Sequence, residues 1–177
     1  MEIWSDSELG AFELWDSGER YVQEGKRFKG FEVFAESSEA RFELPASRNG
    51  DVFGPPSAPV IALASMVLAN LPALVAKAVE ALWGDFNGEK QYRTGMWWHG
   101  GIDEVLSRIG DDFEPTDIQV LYQDLMPEVI KVRDEATATI GFASLIDDDG
   151  IGVLTDGKTI LGTGYESDQA PFLTTHC

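Results

Sequence analysis

Between residues 9 and 44 apolar and polar positions alternate. In "GAFELWD", Phe12 and Leu14 fall on one face and Glu13 and Trp15 on the other. "GFEVFAE" sets Phe31, Val33 and Ala35 against Glu32, Phe34 and Glu36, and "ARFELP" sets Ala40, Phe42 and Leu44 against Arg41 and Glu43. A period of two belongs to half-buried strands, and "DSGE", "EGK" and "ESSE" supply turns between them. The segment therefore predicts an antiparallel meander of three or four strands. The loop "ASRNGDVFGPPSAP" ends it, and the period then lengthens. Ser57 as N-cap and Pro59 in the first turn open a helix over 58–69. "PALVAKAVEALWGDF" predicts a second, with Leu74, Val75, Ala78, Val79 and Leu82 on one stripe and Lys77 and Glu80 outside it. Asn70 and Pro72 divide the two helices, and Gly84 and Gly88 stop the second.

An irregular connection, "NGEKQYRTGMWWHGG", leads to a short helix carrying Ile102, Val105, Leu106 and Ile109, with Asp103 and Glu104 in its first turn. A short turn or helix at 116–121 and a strand at 129–132 come next. "EATATIGFASLI", "GIGVLTD" and "KTILGTGY" then read as further strands. The order is strands, helices, strands. It predicts an α+β fold: an antiparallel sheet built from N- and C-terminal meanders, with the central helices packed on one face. The length of 177 residues suits a single domain over 1–177, with a β-meander at 1–45, a helical segment at 57–110 and a second meander at 128–166.

Charge changes the picture. Thirty-one acids against thirteen bases give a net charge of −18 and a pI near 4.2. Residues 103–168 alone hold sixteen acids and four bases. Such a surface repels phosphate backbones and anionic lipid, so neither nucleic acid nor a membrane surface is an expected partner. It attracts a basic protein and speeds their encounter; it also serves plain solubility. The single cysteine, Cys177, makes no internal disulfide and points to a reducing, cytoplasmic compartment. "MEIWSDSELG" lacks the basic and apolar regions of a secretory signal. "APVIALASMVLANLPALVA" holds nineteen residues without a charge, close to the ~20 of a spanning helix. Six alanines, the Asn70–Pro72 break and the lack of flanking basic clusters favour a buried helix pair instead.

Two stretches carry candidate chemistry. "LIDDDGIGVLTDGK" presents Asp147, Asp148 and Asp149 before Gly150. As a calcium loop with Gly150 at the sixth position it fails: Leu145 falls on the first ligand position and Asp156 on the twelfth. Asp149-Gly150 and Asp156-Gly157 instead fit two-residue hairpin turns, leaving the aspartates as a negative patch. "MWWHGG" places Trp97, Trp98 and His99 in a glycine-flanked loop. One tryptophan packed into the core with its neighbour covering it, a recognition surface, and a general base at His99 are three readings of it. The only other histidine is His176. No zinc spacing, nucleophile elbow or phosphate loop is present in the sequence. No metal, cofactor or catalytic residue is therefore expected.

"ATIGFASLIDDDGIGVLTDGKTILGTGY" resembles the C-terminal signature of a family of small bacterial domains of unknown function: a strand ending in an acidic turn, a "GxGV" strand, a glycine turn and an "xGxG" strand. "LPALVAKAVEALWGDF" and "EPTDIQVLYQDLMPEVIKV" fit the family's order, over about 60–165. Such domains look like immunity proteins of polymorphic toxin systems, and the resemblance implies a small acidic inhibitor of a toxin. The expectation is a non-enzymatic binding protein whose Asp147, Asp148, Asp149, Trp97, Trp98 and His99 contact a basic toxin domain. A hydrolase-like enzyme using His99 with a carboxylate, and a housekeeping interaction module, are the alternatives.

Overall fold

The computed structural model describes residues 3–15, 18–86, 106–107, 110, 112, 117–144 and 147–165, with the backbone alone at 86, 147–149 and 165. Strands β1 (Ile3–Asp6), β2 (Gly10–Trp15), β3 (Arg20–Arg27) and β4 (Glu39–Pro45) form an antiparallel meander. A small ribbon, β5 (Ser47–Asn49) with β6 (Val52–Gly54), stands in the stretch expected to be loop. Helix α1 (Ala58–Phe86) follows, then α2 (Gln119–Asp124). A second antiparallel meander, β7 (Met126–Val132), β8 (Ala138–Ser144), β9 (Asp147–Thr155) and β10 (Ile160–Tyr165), completes the order. The two meanders join into one eight-stranded sheet, β1-β2-β3-β4-β7-β8-β9-β10. The expected α+β architecture is therefore present. The seam differs from the expectation, because β4 and β7 pair in parallel. Parallel neighbours need a long crossover connection, and the segment between β4 and β7, which includes α1, is long enough to supply it.

The core lies between that face and α1. Phe12, Tyr21, Phe42, Leu44, Ile130 and Ile140 from the sheet meet Leu63, Val67, Leu71, Leu74, Val75 and Leu82 from the helix. The sequence predicts two helices here, and there is one of 29 residues with Pro72 inside it. Proline removes one helical hydrogen bond. Both halves nevertheless bury the same stripe on the sheet, and that burial holds them in line. Ala58–Asp85 is also long and apolar enough to cross a membrane, a test that core helices pass as well.

The expected strand at 30–36 is instead a 3-10 turn at Phe31–Val33. Gly30, at φ 112°, breaks the extension, and a Cβ there would stand 3.0 Å from the backbone of Pro72. Phe28, Phe31 and Phe34 then follow a spacing of three, and their rings pack edge-on at 5.7 and 6.2 Å. "EGK" is not a turn. It lies inside β3, where a register shift between Gln23 and Lys26 takes in Gly25 at φ 58°. Gly150 is likewise inside β9 and not at a hairpin tip. Ser144 pairs with Asp147, and Phe142 with Ile151, so β9 carries surplus residues that a bulge absorbs at Gly150, φ 70°. The Asp156-Gly157 connection spans 156–159, since Thr155 pairs with Ile160. Of the short helix expected at 102–110, only Leu106, Ser107 and Gly110 lie among the described residues.

Candidate interaction face

Strand alternation sends one set of side chains toward α1 and the other set to the opposite face. On that opposite face the register lines up Ile3, Glu13, Val22, Glu43 and Lys131 across five strands. Trp15 and Arg20 form the neighbouring cross-strand pair. Ile3 is 57% exposed and Trp15 39% exposed, so two large apolar side chains face solvent on either side of Glu13.

Strands β2 and β3 pair only from Glu13–Val22 to Trp15–Arg20. Beyond that they separate, and side chains fill the opening. The Gln23 amide donates to the carbonyls of Leu9 and Ala11 at 2.9 and 2.8 Å. The Lys26 ammonium donates to the Leu9 carbonyl and to Gln23 Oε1, each at 2.8 Å. It also stands over the rings of Phe28 and Phe42 at 5.6 and 5.4 Å. Burial pushes the Lys26 pKa down. Above this plug lies a cleft of about 490 Å³, with Glu13 and Glu24 among its walls. Its two carboxylates outnumber the one ammonium in its lining, that of Lys26, which suits a donor-bearing cation.

One strand further along, Glu43 gathers three cations. Its Oε1 accepts from Arg41 Nε at 2.6 Å, its Oε2 from Arg20 Nη1 at 3.3 Å, and Lys131 Nζ stands 4.0 Å from Oε2. Glu43 is 9% exposed, against 24%, 35% and 29% for Arg20, Arg41 and Lys131. The cations arise from β3, β4 and β7, so the group straddles the parallel seam.

Two aspartates are fully buried elsewhere. Asp124 accepts from the Ser144 hydroxyl at 2.7 Å, tying α2 to β8, and Asp85 accepts from the Thr163 hydroxyl at 3.1 Å, tying α1 to β10. Among the described residues no group of three or more His, Cys, Asp or Glu is arranged to hold a metal ion.

Trp97, Trp98 and His99 lie outside the described residues. The backbone of Asp147, Asp148 and Asp149 runs in β9, five strands from β2, so these residues are not brought to the cleft. The alternation in "GAFELWD" puts Glu13 and Trp15 on one face, without by itself marking that face for interaction. The signal was a large aromatic on the polar side of an alternating strand. No protein-family model, curated protein or solved structure matches the chain.

Proposed function

We propose that this chain is a non-enzymatic binding protein that docks a basic protein partner on the sheet face opposite α1. In its most specific form it is a bacterial immunity protein that neutralises a toxin in the cytoplasm. The observation that supports this is the exposure of Trp15 and Ile3 around Glu13, beside an acid-walled cleft, in a chain of net charge −18. The long-range field steers a basic partner in. Trp15 anchors it, as rigid aromatics do at interfaces. A partner Lys or Arg enters the cleft and donates charge-assisted hydrogen bonds to Glu13 and Glu24. Asp147, Asp148 and Asp149 add to the field, and Trp97, Trp98 and His99 remain proposed as a further contact.

The test is comparative capture from the native host, with wild type and a Trp15→Ala, Glu13→Gln, Glu24→Gln variant as baits and mass spectrometry as readout. One basic protein should be retained by wild type and lost by the variant. An identical set of proteins on both baits overturns the reading.

A further inference from the structure

We propose that the cations around Glu43 form a subsite for one oxyanion, a carboxylate of the same protein partner whose basic side chain occupies the cleft. This rests on the docking reading above. The cluster holds three cations against one carboxylate, a surplus of two positive charges within a chain of net charge −18. A buried Glu43 is compensated by the two arginines alone. Arg20 and Arg41 each use one hydrogen-bond donor on it, of the five a guanidinium carries. Lys131, at 4.0 Å, makes no hydrogen bond to it at all.

The surplus donors are therefore partly exposed on the face opposite α1, and Glu43 holds them in place. An incoming carboxylate meets preset partners and neutralises part of the surplus. Backbone register fixes the spacing to the cleft: Glu13 and Glu43 are two strands apart, roughly 10 Å. The face thus has an acceptor pole and a donor pole at a set distance. That fits a protein surface bearing a basic and an acidic side chain better than a uniformly basic one. Trp15, next to Arg20, supplies the apolar contact that a free small anion would not use.

The experiment is NMR on the full-length, isotopically labelled chain. Sodium acetate is titrated against sodium chloride at matched ionic strength, with inorganic phosphate as a third arm. The backbone amides of Arg41, Glu43 and Lys131 and the Nε–H of Arg20 and Arg41 should shift saturably with acetate and not with chloride. In Lys131→Gln the apparent affinity should fall about tenfold, the equivalent of one charge-assisted contact. It should hold in Arg27→Gln, which breaks an exposed pair elsewhere on β3. Lys131 makes no hydrogen bond in the cluster, so its substitution leaves the Glu43 pairings to maintain the fold. Equal shifts with chloride, acetate shifts that survive Lys131→Gln, or saturation by phosphate alone would each overturn the proposal. Acetate binding needs no partner, so this result is separate from loss of capture by the cleft variant.

Discussion

Glu43 is a carboxylate that three strands compete to hold. Removing its charge leaves Arg20, Arg41 and Lys131 facing one another without the one carboxylate they share among the described residues. Breaking a buried pair costs about 3–5 kcal/mol; the exposure of these cations to water places Glu43→Gln at the lower end, about 3 kcal/mol, read by urea unfolding. A loss under about 1 kcal/mol would mean that solvent already screens the cluster. Asp156 offers a pH-dependent counterpart. Burial raises its pKa, but the backbone N–H groups of Thr159 and Lys158 and the Thr159 hydroxyl together outweigh that, leaving it below the ordinary 3.8. A carboxylate with a lowered folded pKa contributes stability that is present above the unfolded value and lost as pH falls through the folded one. Asp156→Asn keeps an acceptor oxygen and removes the charge. It should cost about 0.5 kcal/mol at pH 7, after screening for its exposure. The difference from wild type should close as pH drops below 3.8, measured by thermal unfolding across pH. A gap that persists unchanged in acid would remove the charge from the explanation.

At the scale of elements, α1 and the turn at Phe31–Val33 depend on one another. Gly30 brings its backbone against Pro72, so that any Cβ there meets a tight contact as well as a left-handed backbone. Gly30→Ala adds a left-handed strain of about 1–2 kcal/mol and a Cβ 3.0 Å from the Pro72 backbone. We expect a total loss of about 3 kcal/mol, seen as a lower urea midpoint with unchanged slope. Stability within about 0.5 kcal/mol of wild type would show that the turn and helix yield to one another. The same contact explains what the sequence hid. β2, β4 and β8 are legible because alternation is local, and the strands expected at 129–132, "GIGVLTD" and "KTILGTGY" correspond to β7, β9 and β10. The segment at 30–36 alternates too, yet Gly30 and the helix across from it impose a period of three. Pro72 and Asn70 read locally as a helix break; only the continuous stripe from Val60 to Leu82, seated on a sheet formed by distant strands, overrides it. The second half of β3 is hidden because its bulge at Gly25 looks like a turn in isolation. The interaction face was half legible: Glu13 with Trp15, and Arg41 with Glu43, share faces by parity. That Gln23 and Lys26 plug the gap between β2 and β3, and that Lys131 arrives in parallel beside Glu43, follow from long-range register that no local pattern carries.

For the molecule as a whole, two electrostatic effects oppose each other. The net charge of −18 repels itself in the compact state, while Glu43 and its neighbours, and the Arg27–Glu39 pair, attract. Salt weakens both. Exposed pairs are worth at most about 1 kcal/mol each, and the Glu43 carboxylate, being buried, is screened less than surface charge. The dispersed repulsion is therefore the larger casualty of added salt. Going from 0.01 to 1 M shortens the screening length from about 30 to about 3 Å. The melting temperature should rise by about 5 °C over that range, given that about 1 kcal/mol moves a chain of this size by 2–4 °C. Substituting Asp147, Asp148 and Asp149 together by Asn lowers the net charge to −15, so the variant should start higher at low salt and gain less from chloride. The same variant should associate more slowly with a captured basic partner, and its on-rate should depend less steeply on salt. A melting temperature that is flat or falls with sodium chloride would mean that attractive pairs dominate the surface, and the excess negative charge would then lose its role as a field that steers a partner in.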